Sequence, residues 1–186
     1  MCQKYILAYT LCLLLVPASS LLAEQSLAPD LDKISKSVEN YFRQSRPDWE
    51  HKTVPPATPP GSQPSPNVVI HFWSSDKCLT AEVITDGVSS GERPVPCRVK
   101  LAIDQSPSAA AASARLADFA VEEQSASPVS VGEQGYVWHG SDVVFVKGKF
   151  TFWVGVNLDR RAAGLTKNRE FTEELAKEIA DAVPAT

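Results

Sequence analysis

An apolar segment at the amino terminus constrains this chain most, because it decides which residues fold and in which compartment they do so. Lys4 precedes residues 6–16, which are almost wholly apolar, and small residues follow before the chain turns polar. A positive residue, a short apolar core and small residues at the end are typical of a secretory signal peptide. We predict a leader over residues 1–23 that is cleaved after Ala23, with a cut after Ser20 as the alternative.

Two other interpretations of this segment, a membrane anchor and a lipid anchor, fit the sequence less well. Its apolar core is too short to span a bilayer, which takes about 20 residues, so an uncleaved membrane anchor is the less favoured alternative. A lipid anchor needs a cysteine just after the apolar core, whereas Cys12 lies inside it. No later segment is long and apolar enough to span a membrane. We therefore expect an exported protein, periplasmic or secreted, in which residues 24–186 form a single domain.

The charge of the chain restricts its partners. The 186 residues carry a formal net charge of −4, and the loss of Lys4 with the leader makes this charge one unit more negative. Nucleic acids and anionic membranes both attract basic surfaces. An acidic chain therefore argues against either of them as the main partner.

The cysteines predict a disulfide. Cys2 and Cys12 leave with the leader, while Cys78 and Cys97 remain. Two cysteines in an exported chain most simply form one bridge, which would tie two neighbouring strands and contribute roughly 3 kcal/mol for a loop of about 20 residues. The alternatives are a metal pair, which needs more ligands near by, and a redox pair, which is usually Cys-x-x-Cys. A bridge would also remove the thiolate that a Cys-His nucleophile requires.

Apolar residues at helical spacing predict three helices. The first is capped by Asp30 and ends before Pro47, since the residue before a proline is pushed out of the α region. The second is capped by Ser106 and continues to about Glu123. The third follows a polar loop and covers residues 167–183, with an apolar stripe on one side.

Alternating apolar residues predict six strands. They cover residues 68–73, 78–84, 98–104, 135–139, 142–147 and 150–157. The residues Ser74–Asp76 are typical of a turn between the first two strands, and residues 86–96 are predicted to form a polar loop. Gly140-Ser141 and residues 147–149 are short turns, which make antiparallel neighbours.

This order of elements predicts the fold class. Helix, three strands, helix, three strands and helix indicate an α+β fold, a mainly antiparallel sheet of about six strands with helices packed on one face. The proline-rich segment 54–66 lies within this domain as a connector or as an extended segment laid over it. A ligand of a proline-recognition domain is the alternative.

Three segments carry a resemblance to known domains. They are VGEQGYVW at 131–138, VFVKG at 144–148 and LAKEI at 175–179. The chain from about 99 to 183 is similar to exported bacterial domains of unknown function and, more distantly, resembles the extracellular sensor and lipoprotein domains of actinobacteria. The resemblance implies a two-layer α+β fold, an envelope location and binding instead of catalysis. The chain lacks the lipidated cysteine of the lipoproteins and the kinase and membrane segments of the sensors, and no binding residue carries over.

The candidate chemical groups form no recognised motif. His51, His71 and His139 have no spacing typical of metal ligands, so we expect surface or edge histidines, no metal site and no cofactor. No serine lies in Gly-x-Ser-x-Gly, the strained turn that exposes a hydrolase nucleophile. Gly132 and Gly135 precede no helix whose amino terminus would bind a phosphate.

Aromatic residues in predicted strands offer the one candidate binding surface. Trp153 is opposite in parity to Phe152 and Val154, so it lies on the outer face if these two lie in the core. Tyr136, Trp138 and Trp153 would then form a platform for a peptide, a glycan or a partner protein. The alternative is that helices cover that face too and that these are core residues.

Together these patterns favour a non-enzymatic exported domain that binds a partner or ligand in the cell envelope. The first alternative is an exported hydrolase with an unrecognised site, which predicts a deep pocket and a titratable group with a strongly shifted pKa. The second is a structural envelope component without a small ligand.

Overall fold

The described part of the chain folds as a seven-stranded sheet with three helices. A computed structural model describes residues 27–56, 65–85, 88–123, 126–158 and 160–184. The predicted leader lies outside these residues, as does most of the proline-rich segment. Within the described ranges the predicted α+β class and the antiparallel sheet are confirmed.

The elements follow one another in the order α, three β, α, four β, α. The helices are α1 (Pro29–Ser45), α2 (Ala109–Glu122) and α3 (Arg160–Ala182). The strands are β1 (Glu50–Val54), β2 (Val68–Thr85), β3 (Val88–Gln105), β4 (Ser127–Pro128), β5 (Gln134–Trp138), β6 (Asp142–Lys147) and β7 (Phe150–Leu158).

Two antiparallel meanders share one sheet. Its strand order is β1-β2-β3-β7-β6-β5-β4, and every neighbouring pair is antiparallel. The meanders join where β3 pairs with β7, from Cys97 opposite Leu158 to Gln105 opposite Phe150. This central pair places the first and the last parts of the domain side by side.

The strand count differs from the prediction of about six because one predicted turn is a bulge and two strands were missed. Residues 68–73 and 78–84 belong to one strand, β2, whose register shifts between Ser75 and Leu79 instead of turning. Much of the predicted polar loop 86–96 belongs to β3. Pairing across the long β2–β3 hairpin supplies backbone hydrogen bonds to polar residues whose local propensity favours a loop. The short strands β1 and β4 were not predicted.

The helix starts also differ from the prediction. Pro29 is the first residue of α1, because proline has no N–H to leave unpaired at that position, so Asp30 lies inside the helix. Ser108 caps α2 by accepting a hydrogen bond from the Ala111 N–H at 3.1 Å, whereas Ser106 is buried outside the helix. The backbone of α3 begins at Arg160, within the predicted loop. Among the residues that the structure describes, no helix combines the length and the apolar character that crossing a membrane requires.

Helices α1 and α3 cover one face of the sheet, which we call the inner face. The predicted apolar face of β7 is confirmed, since Phe150, Phe152, Val154 and Val156 are all buried there. The helices contribute the apolar stripes predicted for them, namely Leu31, Ile34, Val38 and Phe42 from α1 and Leu175 and Ile179 from α3, which Val183 extends directly after the end of α3. The main core of the domain therefore lies between these helices and the inner face.

Helix α2 lies on the opposite face, which we call the outer face, so the expectation of helices on one face only is wrong. Ala112 and Leu116 pack against Val144 and Val146, while the intervening Val143 and Phe145 belong to the main core. Strand β6 is therefore apolar on both faces, and a strand of this kind needs cover on both.

The predicted disulfide between Cys78 and Cys97 is confirmed. Its Cα atoms are 5.7 Å apart, and it joins β2 to β3 next to the bulge. Strand β7 pairs with β3 only from Cys97 onward, and β1 pairs with β2 only up to Ser74. Among the described strands, the part of the hairpin beyond the bridge therefore pairs only with itself.

Replacing Gly132 by alanine is expected to destabilise the domain by about 2 kcal/mol or more. Gly132 has a φ of +62°, and a Cβ atom there would lie 2.5 Å from the Val146 carbonyl oxygen. The left-handed backbone and the overpacking each have a cost of this order. Urea unfolding followed by circular dichroism measures the change in the free energy of unfolding.

Gly140 is the matched control for this substitution. Its φ is +78°, yet a Cβ atom there would meet nothing within 4 Å. Gly140→Ala should therefore show only the backbone cost, about 1 kcal/mol. Equal losses for the two variants would contradict the close approach at Gly132.

Candidate functional site

Three aromatic rings, those of Phe119, Trp138 and Trp153, contact one another on the outer face, and Tyr136 packs near by; we call these four residues the aromatic cluster. Trp138 and Trp153 lie 4.3 Å apart between ring centroids, edge to face. Phe119 of α2 contacts both, at 5.2 Å from Trp138 and 5.9 Å from Trp153. Tyr136 packs against the same small core, and the three strand residues are half-buried.

The structure thus brings together the three residues predicted to bind a ligand, and it also covers them. Their shared strand face was one prediction from the sequence, and coverage of that face by a helix was the alternative. Phe119 of α2 contacts Trp138 and Trp153, and Tyr136 packs against the small core that α2 forms with β6, so all three residues are partly covered. Ligand binding by these three residues stays a prediction.

The rest of the outer face carries an open groove. Helix α2 packs chiefly on β6 and β7 and contacts β3 through the Arg115–Asp104 ion pair, but it contributes no residue to the lining of the groove. The groove has a volume of about 660 Å³. Its floor and walls include Glu50, Lys52, Phe72, Arg98, Lys100, Asp142 and Asn157. We call this feature the outer-face groove.

Three cations line up across the outer-face groove. Lys52 and Lys100 flank Phe72 on neighbouring strands, and Arg98 is two residues from Lys100 and on the same face. The Lys52 ammonium lies 5.6 Å from the centroid of the Phe72 ring. None of the three cations takes part in an ion pair with another described residue. Because Glu50 and Asp142 also line the groove, its lining carries a small excess of positive charge on an acidic chain.

A hydrogen-bonded carboxylate connects the groove to the aromatic cluster. Asp142 accepts a hydrogen bond from Trp153 Nε1 at 3.0 Å. Gly155 leaves room for this carboxylate, because a Cβ atom at Gly155 would lie 3.2 Å from Asp142 Oδ2. The two features of the outer face thus share a wall.

A second group of polar side chains meets on the inner face, at the β1 edge of the sheet. It consists of Glu39 from α1, His51 from β1 and His71 from β2; we call it the histidine cluster. One ligand atom from each residue lies within 4.8 Å of the other two. His51 Nε2 is 3.0 Å from His71 Nδ1, and His71 Nδ1 is 3.6 Å from Glu39 Oε1.

Neighbouring groups hold the His71 ring in place. Ser35 Oγ of α1 lies 3.0 Å from His71 Nε2, and Thr53 Oγ1 lies 3.4 Å from His71 Nδ1. Trp73 stacks on both imidazoles and is itself stacked on Phe42 at 4.0 Å. The ring therefore has one orientation, with Nε2 towards Ser35 and Nδ1 towards His51 and Glu39.

Burial keeps these histidines neutral. It lowers the pKa of His71 to about 4, with a further lowering from the neighbouring His51. Burial also lowers the pKa of His51, and Arg43 adds to this while the Glu39 carboxylate opposes it. Both imidazoles therefore carry an unprotonated nitrogen at neutral pH.

The sequence analysis missed this cluster. The expectation of surface or edge histidines is wrong for His71, which is 0% exposed, while His51 lies on the edge strand and His139 in an exposed turn. One signal was present in the sequence: His71 is two residues from Val69 and two from Trp73, so it lies with them on the apolar face of the strand. A histidine on such a face needs polar partners from elsewhere in the chain.

The chain matches no protein-family model, no curated protein and no solved structure. The resemblance to exported bacterial domains therefore stays a prediction from the sequence.

Proposed function

We propose that this chain is an exported, non-enzymatic domain that binds an acidic segment of a partner protein in the cell envelope at the outer-face groove. One observation carries the proposal: Lys52, Arg98 and Lys100 lie together on the open part of the outer face, and none of them forms an ion pair with a described residue, although Glu50 and Asp142 also line the groove. The chain as a whole is acidic, so the excess of positive charge in the groove would direct an acidic partner to this surface.

The shape of the groove supports a peptide as the occupant. Arg98 and Lys100 repeat at a spacing of two residues along β3, which matches carboxylates at alternate positions of an extended chain. Their aliphatic stems and the half-buried Phe72 offer apolar contact beneath the charges. Asn157 adds an exposed amide that can pair with a peptide backbone.

The apolar leader and the disulfide support the export part of the proposal. A bridge between Cys78 and Cys97 is stable in an oxidising compartment, which agrees with residues 1–23 acting as a signal peptide.

A hydrolase is the competing function, because Ser35, His71 and Glu39 lie in the order of a serine triad. Ser35 Oγ contacts His71 Nε2, and His71 Nδ1 faces the Glu39 carboxylate. Ser35 is only 4% exposed and lies within α1, so no carbonyl of a substrate can reach its hydroxyl. We therefore interpret Ser35 as a residue that orients His71.

A hexaglutamate peptide tests the proposed function. In two-dimensional amide NMR spectra it should shift residues of β1, β2 and β3 that line the groove, and hexalysine should not. Arg98→Glu with Lys100→Glu should weaken the binding of hexaglutamate at least tenfold, because two attractive charges become repulsive. The loss should diminish in high salt, since exposed charges are screened.

Lys177→Glu is the matched control, since Lys177 is exposed on α3 and far from the groove in the fold. It should leave the affinity for hexaglutamate within twofold of the original. Shifts that spread over the whole surface, or equal losses in the groove and control variants, would refute the groove as the binding surface.

A further inference from the structure

The histidine cluster has the donor set of a metal site. We propose that Glu39, His51 and His71 bind one divalent transition-metal ion, with Zn²⁺ as the preferred ion. Two imidazole nitrogens and one carboxylate oxygen form a borderline ligand set that suits Zn²⁺ far better than Mg²⁺ or Ca²⁺, which take oxygen ligands.

The distances between the donor atoms fit a tetrahedral ion. Zn²⁺ bonds of 2.0–2.1 Å place two ligand atoms of a tetrahedron about 3.3 Å apart. The pair His51 Nε2 and His71 Nδ1 is at 3.0 Å, and the pair His71 Nδ1 and Glu39 Oε1 is at 3.6 Å. The three donors therefore need only small side-chain movements to surround one ion.

Ser35 and the aromatic stack prepare His71 for this role. When His71 Nε2–H donates to Ser35 Oγ, Nδ1 presents its lone pair to the cluster. A hydroxyl that holds the second nitrogen of a ligating histidine fixes both the tautomer and the direction of the ring. Stacking on Trp73 restricts rotation of the same ring.

His51 is the residue that must adjust when the ion enters. The ring centroids of His51 and His71 are 5.3 Å apart with their nitrogens between them, so one N–H now bridges the pair. The ion takes the place of this hydrogen, and the proton moves to Nδ1 of His51, which no other described residue engages. His51 lies on the edge strand and is exposed, so its ring can rotate to make room.

Charge and access also favour a dication. A dication bound by two neutral imidazoles and one carboxylate has a net charge of +1. Because Glu39 is 26% exposed, water can solvate this remaining charge. Arg43, one turn after Glu39 on α1, opposes the ion but is itself exposed. A water molecule or Thr53 Oγ1 can complete the four ligands.

Calorimetric titration with ZnCl₂ tests the proposal on the disulfide-bonded protein without an affinity tag. One equivalent should bind with a dissociation constant of 10 μM or tighter. Glu39→Gln replaces the anionic ligand by a neutral amide and His51→Ala removes one imidazole, and each should weaken binding at least tenfold. Imidazole NMR signals of His51 and His71 should shift on titration, whereas those of His139 should not.

His139→Ala is the matched control, because His139 is exposed in the turn after β5 and lies outside the cluster. It should retain both the stoichiometry and the affinity. The Zn²⁺ affinity of Ser35→Ala should fall between that of the original protein and those of the Glu39→Gln and His51→Ala variants. No heat of binding up to 1 mM Zn²⁺, unchanged affinity in Glu39→Gln and His51→Ala, or loss of binding in His139→Ala would each overturn the metal site.

Discussion

Replacing Phe152 by alanine is expected to lower the free energy of unfolding by about 4 kcal/mol. Phe152 is 0% exposed at the centre of the inner face, and its ring stacks on Phe145 at 4.8 Å with an interplanar angle of 5°. Truncation of a buried phenylalanine removes transfer free energy and leaves a cavity, which together cost about 3–5 kcal/mol. Loss of the stacked pair adds to this cost. Urea unfolding by tryptophan fluorescence measures the change.

Two further substitutions separate this packing loss from a general loss of fold. Phe152→Leu keeps most of the apolar volume and should cost about 1.5 kcal/mol. Val121→Ala alters a residue that is 81% exposed on α2 and should change the free energy of unfolding by less than about 0.5 kcal/mol. A loss below about 1.5 kcal/mol for Phe152→Ala would show that this ring is not central to the core.

Removal of the disulfide by Cys78→Ala with Cys97→Ala is expected to destabilise the domain by about 3 kcal/mol. The cysteines are 19 residues apart in sequence, and closing a loop of this length removes conformational entropy from the unfolded chain. The effect should be local as well. Amide hydrogen exchange should speed up between Leu79 and Val95, because this part of the hairpin lies beyond the bridge and pairs only with itself among the described strands.

Reductant supplies the control for the bridge. The original protein in excess dithiothreitol should unfold at the midpoint of the double variant, and the double variant should not respond to dithiothreitol. A double variant within about 0.5 kcal/mol of the original, with unchanged exchange between Leu79 and Val95, would contradict a stabilising role for the bridge.

The two proposed sites use opposite faces of the same strands. His51 and His71 point to the inner face, whereas their neighbours Lys52 and Phe72 line the groove on the outer face. Successive side chains of a strand alternate between faces, so one pair of strands carries both sites on opposite faces. Variants of the groove should therefore leave Zn²⁺ binding unchanged, and variants of the cluster should leave peptide binding unchanged.

Much of the fold was predictable because its signals are local. The stripe of Leu175, Ile179 and Val183 predicted the face that α3 buries, and the alternation in β7 predicted which residues face the core. The turns at Gly140 and Gly148 predicted the hairpins, and both glycines have positive φ. Where local signals conflicted with pairing, pairing prevailed: the polar residues near Ser75 form a bulge within β2 because β3 continues alongside them.

The candidate site was much less predictable. The aromatic cluster was predicted as a strand face, since parity alone places Trp153 opposite Phe152, but the sequence left open whether a helix covers it, as Phe119 of α2 does. The cations of the groove were not predicted as a binding surface, because Lys52 lies on an unpredicted strand and only the pairing of β1, β2 and β3 brings the three side chains together. The histidine cluster was missed, because Glu39, His51 and His71 lie in three separate elements.

The sequence by itself determined the local periodicities, the turns and a cysteine pair able to bridge neighbouring strands, since each depends on residues close together along the chain. Only the tertiary structure decided that α2 crosses to the outer face and leaves part of it open as a basic groove. It alone also decided that α1 lies over the β1 edge, where Glu39 meets the two histidines. The physical reason is that the periodicity of a helix or strand predicts the face on which a side chain lies, whereas the partners of that side chain depend on how distant elements pack.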